Sequence, residues 1–235
     1  MKHTSIAFVL LALLLSCGDG ITENTMTVTG QVKGLKKGVL YLQHIPDSTL
    51  AVADSIQIDG DGHFSLSAEL ESPEVFYLYL NKKDNNAIND RITFFGEPGT
   101  ITINTVWNTF DKNADIKGSE THEKLEEYQK MMSRFNRKQL EIMQQALNKE
   151  LNLSTAELDS LQQLGDKNDK RSYAFALTYA LNNKESHIAP YIAVHGVPDA
   201  NPKYLDSILS VLPPEIADSK YGRALAAILK KNNSD

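Results

Sequence analysis

A single cysteine stands in 235 residues. It lies at position 17, so no disulfide framework, thiolate metal cluster or Cys-x-x-Cys redox pair can form within the chain. Basic residues are in the minority, with 24 Lys and Arg against 30 Asp and Glu for a formal net charge of −6. The pairs Lys36-Lys37 and Lys82-Lys83 are isolated loop charges, and without a basic stripe to displace phosphate counterions nucleic acid is excluded as a partner. No apolar run approaches the about 20 residues of a membrane-spanning helix. Gly-x-Ser-x-Gly, Ser-x-x-Lys and a phosphate-binding glycine loop are all missing. His44, His63, His122, His187 and His195 show neither the spacing of a zinc site nor paired carboxylates, and each is expected as a surface or strand residue. Asp59-Gly60-Asp61-Gly62 resembles part of a calcium loop, but its twelfth position is Leu70 rather than a bidentate glutamate, so it is taken as a turn. The sequence therefore calls for no cofactor, no metal and no catalytic residue.

What is present at the start is an export signal: Lys2, an apolar run from Ile6 to Leu15, small Ser16, then Cys17. A signal core takes roughly 7 to 15 apolar residues and is removed after export. Leu14-Leu15-Ser16-Cys17 resembles a bacterial lipobox. The expectation is a signal peptide over 1–16, cleavage before Cys17, acylation of that cysteine (palmitate or a similar chain) and a polar tether over 17–25. Each buried CH₂ of such an anchor contributes about 0.8 kcal/mol, so the expected location is the cell envelope, anchored to the outer membrane. Asp19 and Glu23 are too sparse a signal to choose between the periplasmic and surface sides. Four triplets, Asp47-Ser48-Thr49, Asp54-Ser55-Ile56, Asp159-Ser160-Leu161 and Asp206-Ser207-Ile208, resemble the O-glycosylation sequon of exported Bacteroidetes proteins.

From 26 to 118 short runs alternate with period two, separated by Gly, Pro, Asp and Asn, which is the pattern of strands. Strands are predicted at Thr25–Val32, Val39–Gln43, Ala51–Ile58, His63–Leu70, Val75–Leu80, Arg91–Phe95, Thr100–Val106 and Ala114–Lys117. Ala51–Ile58 and His63–Leu70 are predicted to pair as a hairpin, with Phe64, Leu66, Ala68 and Leu70 on the buried face. Glycines 34 and 38, and 96 and 99, bracket tight connections, and Asn81–Asp90 is a long polar loop. From 119 to 235 the period becomes helical, with a stripe of Leu125, Tyr128, Met132, Phe135, Ile142 and Met143. Ser154 and Glu157 have capping-box spacing before a second helix, where Gly165 is a candidate break. Shorter helices follow near Ser186–Gly196, after Asn201-Pro202 as far as Pro213-Pro214, and at Ser219–Lys231. The predicted fold class is α+β, strands then helices: an antiparallel β-sandwich of about eight strands followed by a helical region.

Several segments, in this order, are similar to a known family. They are Gly30–Gly34, Gly38-Val39-Leu40-Tyr41-Leu42, Asp54-Ser55, Gly60–Phe64, Pro73–Tyr79, Phe94-Phe95-Gly96-Glu97-Pro98-Gly99 and Lys117-Gly118-Ser119, then Asn183–Tyr191, Asn201–Leu209 and Ser219–Leu225 in the helical half. Together they resemble the N-terminal domain of unknown function of Bacteroidetes-type lipoproteins, usually found ahead of a thioredoxin-like thiol-disulfide oxidoreductase domain. No catalytic residue of that second domain has a matching position here, so the resemblance implies an accessory region without its redox partner.

Aromatic residues are the remaining feature. Phe76, Tyr77 and Tyr79 share one predicted strand and Phe94 and Phe95 another. Neighbours on a strand point to opposite faces, so one of each pair belongs in the core and the other lines a groove or covers the helices, with covering the helices favoured. Trp107 and Phe110, where sheet gives way to helix, are the candidate contact patch. Three functional readings follow: a non-catalytic, membrane-anchored envelope lipoprotein that binds another envelope protein or ligand; a docking accessory of a thioredoxin-like system; and an envelope hydrolase lacking a recognisable motif. The anchor is directly testable. Cys17→Ser is expected to move the protein from the membrane pellet to the soluble fraction, and a variant that still pellets would overturn lipidation.

Overall fold

The computed structural model describes residues 24–82 and 91–232. The signal, Cys17, nearly all of the tether and most of the Asn81–Asp90 loop lie outside the described residues. The strands are β1 (Thr25–Lys33), β2 (Lys37–His44), β3 (Ala51–Asp59), β4 (His63–Glu69), β5 (Glu74–Asn81), β6 (Arg91–Gly96), β7 (Gly99–Val106) and β8 (Asp115–Lys117). They form two four-stranded sheets, ordered β4-β1-β7-β8 and β3-β2-β5-β6. Alternation sets the faces: β1 turns Met26, Val28 and Val32 inward, β4 turns Phe64 and Leu66, and β7 turns Ile101 and Ile103. Across the sandwich these meet Leu40, Leu42, Phe76, Leu78 and Phe94 in one buried cluster.

Two pairings differ from the sequence expectation. β3 and β4 are not a hairpin, because β3 pairs with β2 and β4 with β1. The 59–62 turn carries the chain from one sheet to the other. It is tied to the β1–β2 connection by Val32 N donating to Gly62 O at 2.9 Å and Gly60 N to Lys36 O at 3.0 Å. Gly62 has φ +83°, and a Cβ there would stand 2.2 Å from Val32 O, so only glycine fits the crossing. A period-two pattern reports which face is buried, not which strand lies alongside, and so cannot separate a hairpin from a sheet-to-sheet corner. The second difference is that β1 and β7 run parallel in the middle of the first sheet. The sandwich is therefore mixed, its parallel pair joined through the whole of the second sheet.

The helices are α1 (Glu120–Leu147), α2 (Thr155–Asn182), α3 (Ile188–His195), α4 (Pro202–Leu209), α5 (Pro214–Ala217) and α6 (Lys220–Asn232). α1 and α2 pack along one another with Tyr128 stacked on Phe175 and the rings of Phe135 and Tyr179 tilted against them. The expected capping box at Ser154 and Glu157 is present. Gly165 does not break α2, which continues through it. It is buried against Gln139, and Asn168 Nδ2 donates to Phe135 O and Gln139 Oε1, both at 3.1 Å. A Cβ at Gly165 would stand 3.3 Å from the flexible Gln139 side-chain amide, so the helix tolerates the about 1 kcal/mol that glycine costs in its interior. Beyond this point Leu140, Met143, Leu147, Leu151, Leu158 and Leu164 are exposed.

The helices pack on the outer face of the second sheet, making a third layer. α1 begins where the β6–β7 turn meets it. Ser119 Oγ accepts from His122 N at 3.0 Å, and the Glu97 carboxylate accepts from Glu120 N at 2.6 Å, Thr121 N at 3.3 Å and Thr121 Oγ1 at 2.7 Å. A carboxylate from the sandwich thus satisfies the orphan donors and the positive end of the first helix. β5 and β6 are buried on both faces near this junction: Phe76 and Phe94 belong to the sandwich core, Val75 and Phe95 to the helical core. Of the two outward placements open from the sequence, Phe95 covers the helices and Tyr77 lines a groove beside them. Phe95→Ala is expected to cost about 3–5 kcal/mol, as for other buried Phe truncations. Urea unfolding measures this, and a loss under 1 kcal/mol would show that the two layers do not depend on that ring.

Candidate functional site

Alternation on β5 points Tyr77 away from the sandwich, and the β2–β3 connection brings Ile45, Pro46 and Asp47 alongside it. α3 and α6 supply the opposite wall with Tyr191, His195 and Tyr221. The result is a cleft of about 560 Å³, which continues into a second depression of about 340 Å³ reaching Glu69, Glu71 and Ser72. Both lie within the size range of small-molecule sites.

The aromatic wall is a set of rings locked at short range. Tyr191 lies 4.8 Å from His195 and 5.1 Å from Tyr221, and Phe95 lies 5.6 Å from Tyr191 and 5.9 Å from Tyr221 between centroids. The pairs are tilted or edge-to-face, the arrangement that ring quadrupoles favour. Val75 N donates to Tyr221 Oη at 3.1 Å, fixing α6 against β5. Burial raises the phenol pKa of both Tyr191 and Tyr221 above its ordinary range, so the rings present neutral hydroxyls.

The polar wall is an ion-paired row. Glu74 is buried at the start of β5; its Oε1 lies 2.7 Å from His44 Nδ1, and its Oε2 contacts Lys220 Nζ. The same ammonium donates to Ile45 O, and Lys220 N donates to Ser72 Oγ at 3.2 Å. His44 stacks on Phe76 with centroids 4.9 Å apart. Arg223 donates to Asp218 O and lies 3.5 Å from the Glu71 carboxylate. Each of these charges already has an opposite charge or carbonyl, so the row fixes geometry, while the carboxylates of Asp47 and Glu69 also line the two depressions. Among the described residues no group of three or more His, Cys, Asp or Glu side chains is placed to hold a metal ion.

The residues proposed from sequence lie elsewhere. Cys17 falls outside the described residues. Trp107 is 46% exposed, while Phe110 is fully buried in the sandwich core, and Thr105 Oγ1 donates to its carbonyl at 2.7 Å. Phe110 is thereby removed from any contact patch: the turn after β7 rolls it under the sheet, a placement one-dimensional spacing does not encode. Trp107 sits beyond Val106, opposite Lys33, whereas Thr25 pairs with Glu69 at the other end of β1. The cleft is at that second end, so the structure does not bring Trp107 to it. Asp61 stays in its turn, with its carboxyl below the usual range because His63 N and the His63 ring hydrogen-bond it. Of the four Asp-Ser triplets, 47–49 lies in the exposed β2–β3 connection. In α2 and α4 the Ser160 and Ser207 hydroxyls donate to Ala156 O and Lys203 O. Tyr191, Lys220 and Tyr221 were not singled out from sequence, and His195 was weighed there only as a surface or strand residue. The available signals were the four-residue spacing of Tyr191 and His195 on one helix and the Lys220-Tyr221 pair at a helix start.

Of the histidines expected on the surface or in strands, His44 is in strand β2 and His122 is the one buried in a helix. His44 is part of the ion-paired row, and His122 is buried at 4% exposure in the first turn of α1. Phe95 N donates to His122 Nδ1 at 3.3 Å, which covers part of edge strand β6. His122 Nε2 is 3.6 Å from Glu126 Oε1 and has no hydrogen-bond partner among the described residues.

A family model for a domain of unknown function (DUF4369) matches residues 26–125. That span covers both sheets, the Glu97 clamp and the first turns of α1, and leaves the helical wall of the cleft outside the match. No curated protein and no solved structure matches the chain.

Burial holds the His122 pKa below its ordinary value, against the opposing pull of Glu126, Glu123 and Glu97. His187 and His195 are lowered as well, chiefly by burial. The unfolded chain binds these protons as pH falls through about 6.5, whereas the folded chain resists them until lower pH. Stability is therefore full above that window and lost as pH falls through it. The urea midpoint is expected to be lower at pH 5.5 than at pH 7.5. His122→Gln, which keeps an acceptor for Phe95 N, should show a shallower slope, and an unchanged slope would assign the effect to other groups.

Proposed function

We propose that the chain is a lipid-anchored cell-envelope protein that acts by binding, through the cleft between the second sheet and helices α3 and α6. The export-signal pattern and the lipobox-like Leu14-Leu15-Ser16-Cys17 support the anchor, and the match over residues 26–125 supports the domain-of-unknown-function part of the resemblance alone.

The observation that carries the binding reading is the state of the charged groups. Glu74 is held by Lys220 and His44 together. A general base needs a free lone pair at the reacting proton, and a nucleophile needs such a base beside it. This row is already satisfied internally and serves to hold β5, the β2–β3 connection and α6 in register. A cleft walled by packed rings and an ion-paired Glu74–Lys220–His44 row suits recognition better than proton transfer at that row.

Incubating the detergent-solubilised protein with an envelope extract, then identifying retained compounds by mass spectrometry, tests this. The wild type is expected to retain a compound unchanged, and Tyr77→Ala to retain it about tenfold less, the equivalent of roughly 1.4 kcal/mol. Conversion of a retained compound into product, abolished by Lys220→Ala, would replace binding by catalysis. Specific crosslinking of a thioredoxin-like protein in intact membranes would instead favour the thiol-disulfide accessory role.

A further inference from the structure

The outer half of the α1–α2 hairpin has an apolar face that no described residue covers. From Asn136 to Leu164, Ile142 is the one buried residue among the described residues. Phe135, Gln139 and Ile142 recur at helical spacing toward α2, where Phe135 meets Phe175 and Gln139 meets Asn168. Leu140, Met143 and Leu147 form a second stripe, at steps of three and four, on another side of α1. They are 54%, 50% and 74% exposed. The stripe ends at a depression of about 330 Å³ lined by Ala146, Leu147, Asn148, Asn152, Leu153 and Leu158.

Width, charge and symmetry of the stripe select its occupant. It is narrow and flanked by Gln139 and Gln144, which suits knobs-into-holes packing against another helix. A helix lying on lipid instead carries a broad apolar face rimmed by Lys and Arg. Between Gln139 and Leu147 the one ionic side chain is Glu141, which Lys138 approaches at 3.5 Å. The same surface on a second molecule of this net-negative chain therefore meets little like-charge repulsion. The stripe is also its own complement. Leu140 and Leu147 lie equally far from the midpoint of Met143 and Gln144, so an antiparallel copy of α1 sets Leu140 against Leu147 twice, as a two-fold contact requires. Each Leu140 then reaches the other copy's depression beside Leu158. Leu140, Met143, Leu147 and Leu158 expose on the order of 400 Å² of apolar side chain per copy. Two such faces with their glutamine rims reach about the 1,200 Å² at which specific interfaces begin. We propose that the distal face of the α1–α2 hairpin is the interface for a second copy of this chain, α1 packing antiparallel on α1 across a two-fold axis beside Met143.

Disulfide crosslinking of the full chain in intact cells tests this, with the parent chain, whose single cysteine is Cys17, as the blank. Under mild oxidation Met143→Cys, beside the axis, is expected to give a disulfide-linked dimer of two copies, and Trp107→Cys, exposed on the sandwich, is not. In the Met143→Cys background, Leu140→Glu or Leu147→Lys alone should lower the yield about tenfold while the urea midpoint stays at the parent value. Coexpressing the two should restore it, because the introduced carboxylate and ammonium then face each other. A Met143→Cys yield no higher than that of Trp107→Cys, or a crosslink to a different protein alone, overturns the proposal. So does quenching of a fluorophore on Met143→Cys by a lipid-borne quencher in isolated membranes, which would assign the stripe to the bilayer surface. Failure of the charge pair to restore the yield overturns the antiparallel register.

Discussion

β5 and β6 have to satisfy two hydrophobic cores at once. In a free sandwich the outer face of the second sheet would be wet, and its alternate residues polar. Here Phe76 and Phe94 fill the space between the sheets, while Val75 and Phe95 fill the space beneath the helices. Phe95 is the hinge of this arrangement, because its ring touches Tyr191 of α3 and Tyr221 of α6 while its amide is held by His122 of α1. The helices therefore cannot leave the sheet without exposing large aromatic area and freeing an edge-strand N–H. Glu97 adds direction to that attachment, since its carboxylate fits only where the first turn of α1 presents its amides.

The cleft is a consequence of where that attachment stops. α3 and α6 cover the Val75 and Phe95 end of the sheet; farther along, Tyr41 stacks on Tyr79 and Arg91 lies over Tyr77 and Tyr79. At the boundary the sheet, the β2–β3 connection and two helices meet without filling the space between them. Glu74 and Lys220 cross that boundary. A partly buried ion pair is weak support for stability, because desolvation offsets much of the Coulomb gain. Its contribution here is positional: one carboxylate joins the end of β2, through His44, to the first turn of α6, and so sets the width of the opening.

Much of the fold was legible in the sequence because it is written in local periodicity. All eight strands lie within a residue or two of their predicted spans, the capping box at Ser154 is in place, and the change from period two to helical period falls at Gly118. These features depend on residues close in the chain, whose preferences for face, cap and turn act before any tertiary contact. The division of Phe94 and Phe95 between two environments was legible for the same reason, since adjacent strand residues cannot share a face.

Pairing, depth and convergence were decided only in three dimensions. The alternation of β3 and β4 is the same whether they lie side by side or in opposite sheets, and the choice came from β1 and β2 competing for them. Phe110 follows the same apolar logic as Trp107 in the sequence, yet the turn after β7 buries one ring and leaves the other in solvent. Gly165 has a helix breaker's propensity, yet α2 runs through it where it is buried against Gln139 of α1. Tyr77, Tyr191 and Tyr221 are scattered over more than half the chain and none carries a motif. By itself the sequence determined faces, caps and element order, which are local free energies. Only the tertiary structure decided which faces meet, and with them the cleft, because burial is a property of neighbours that the chain brings together from afar.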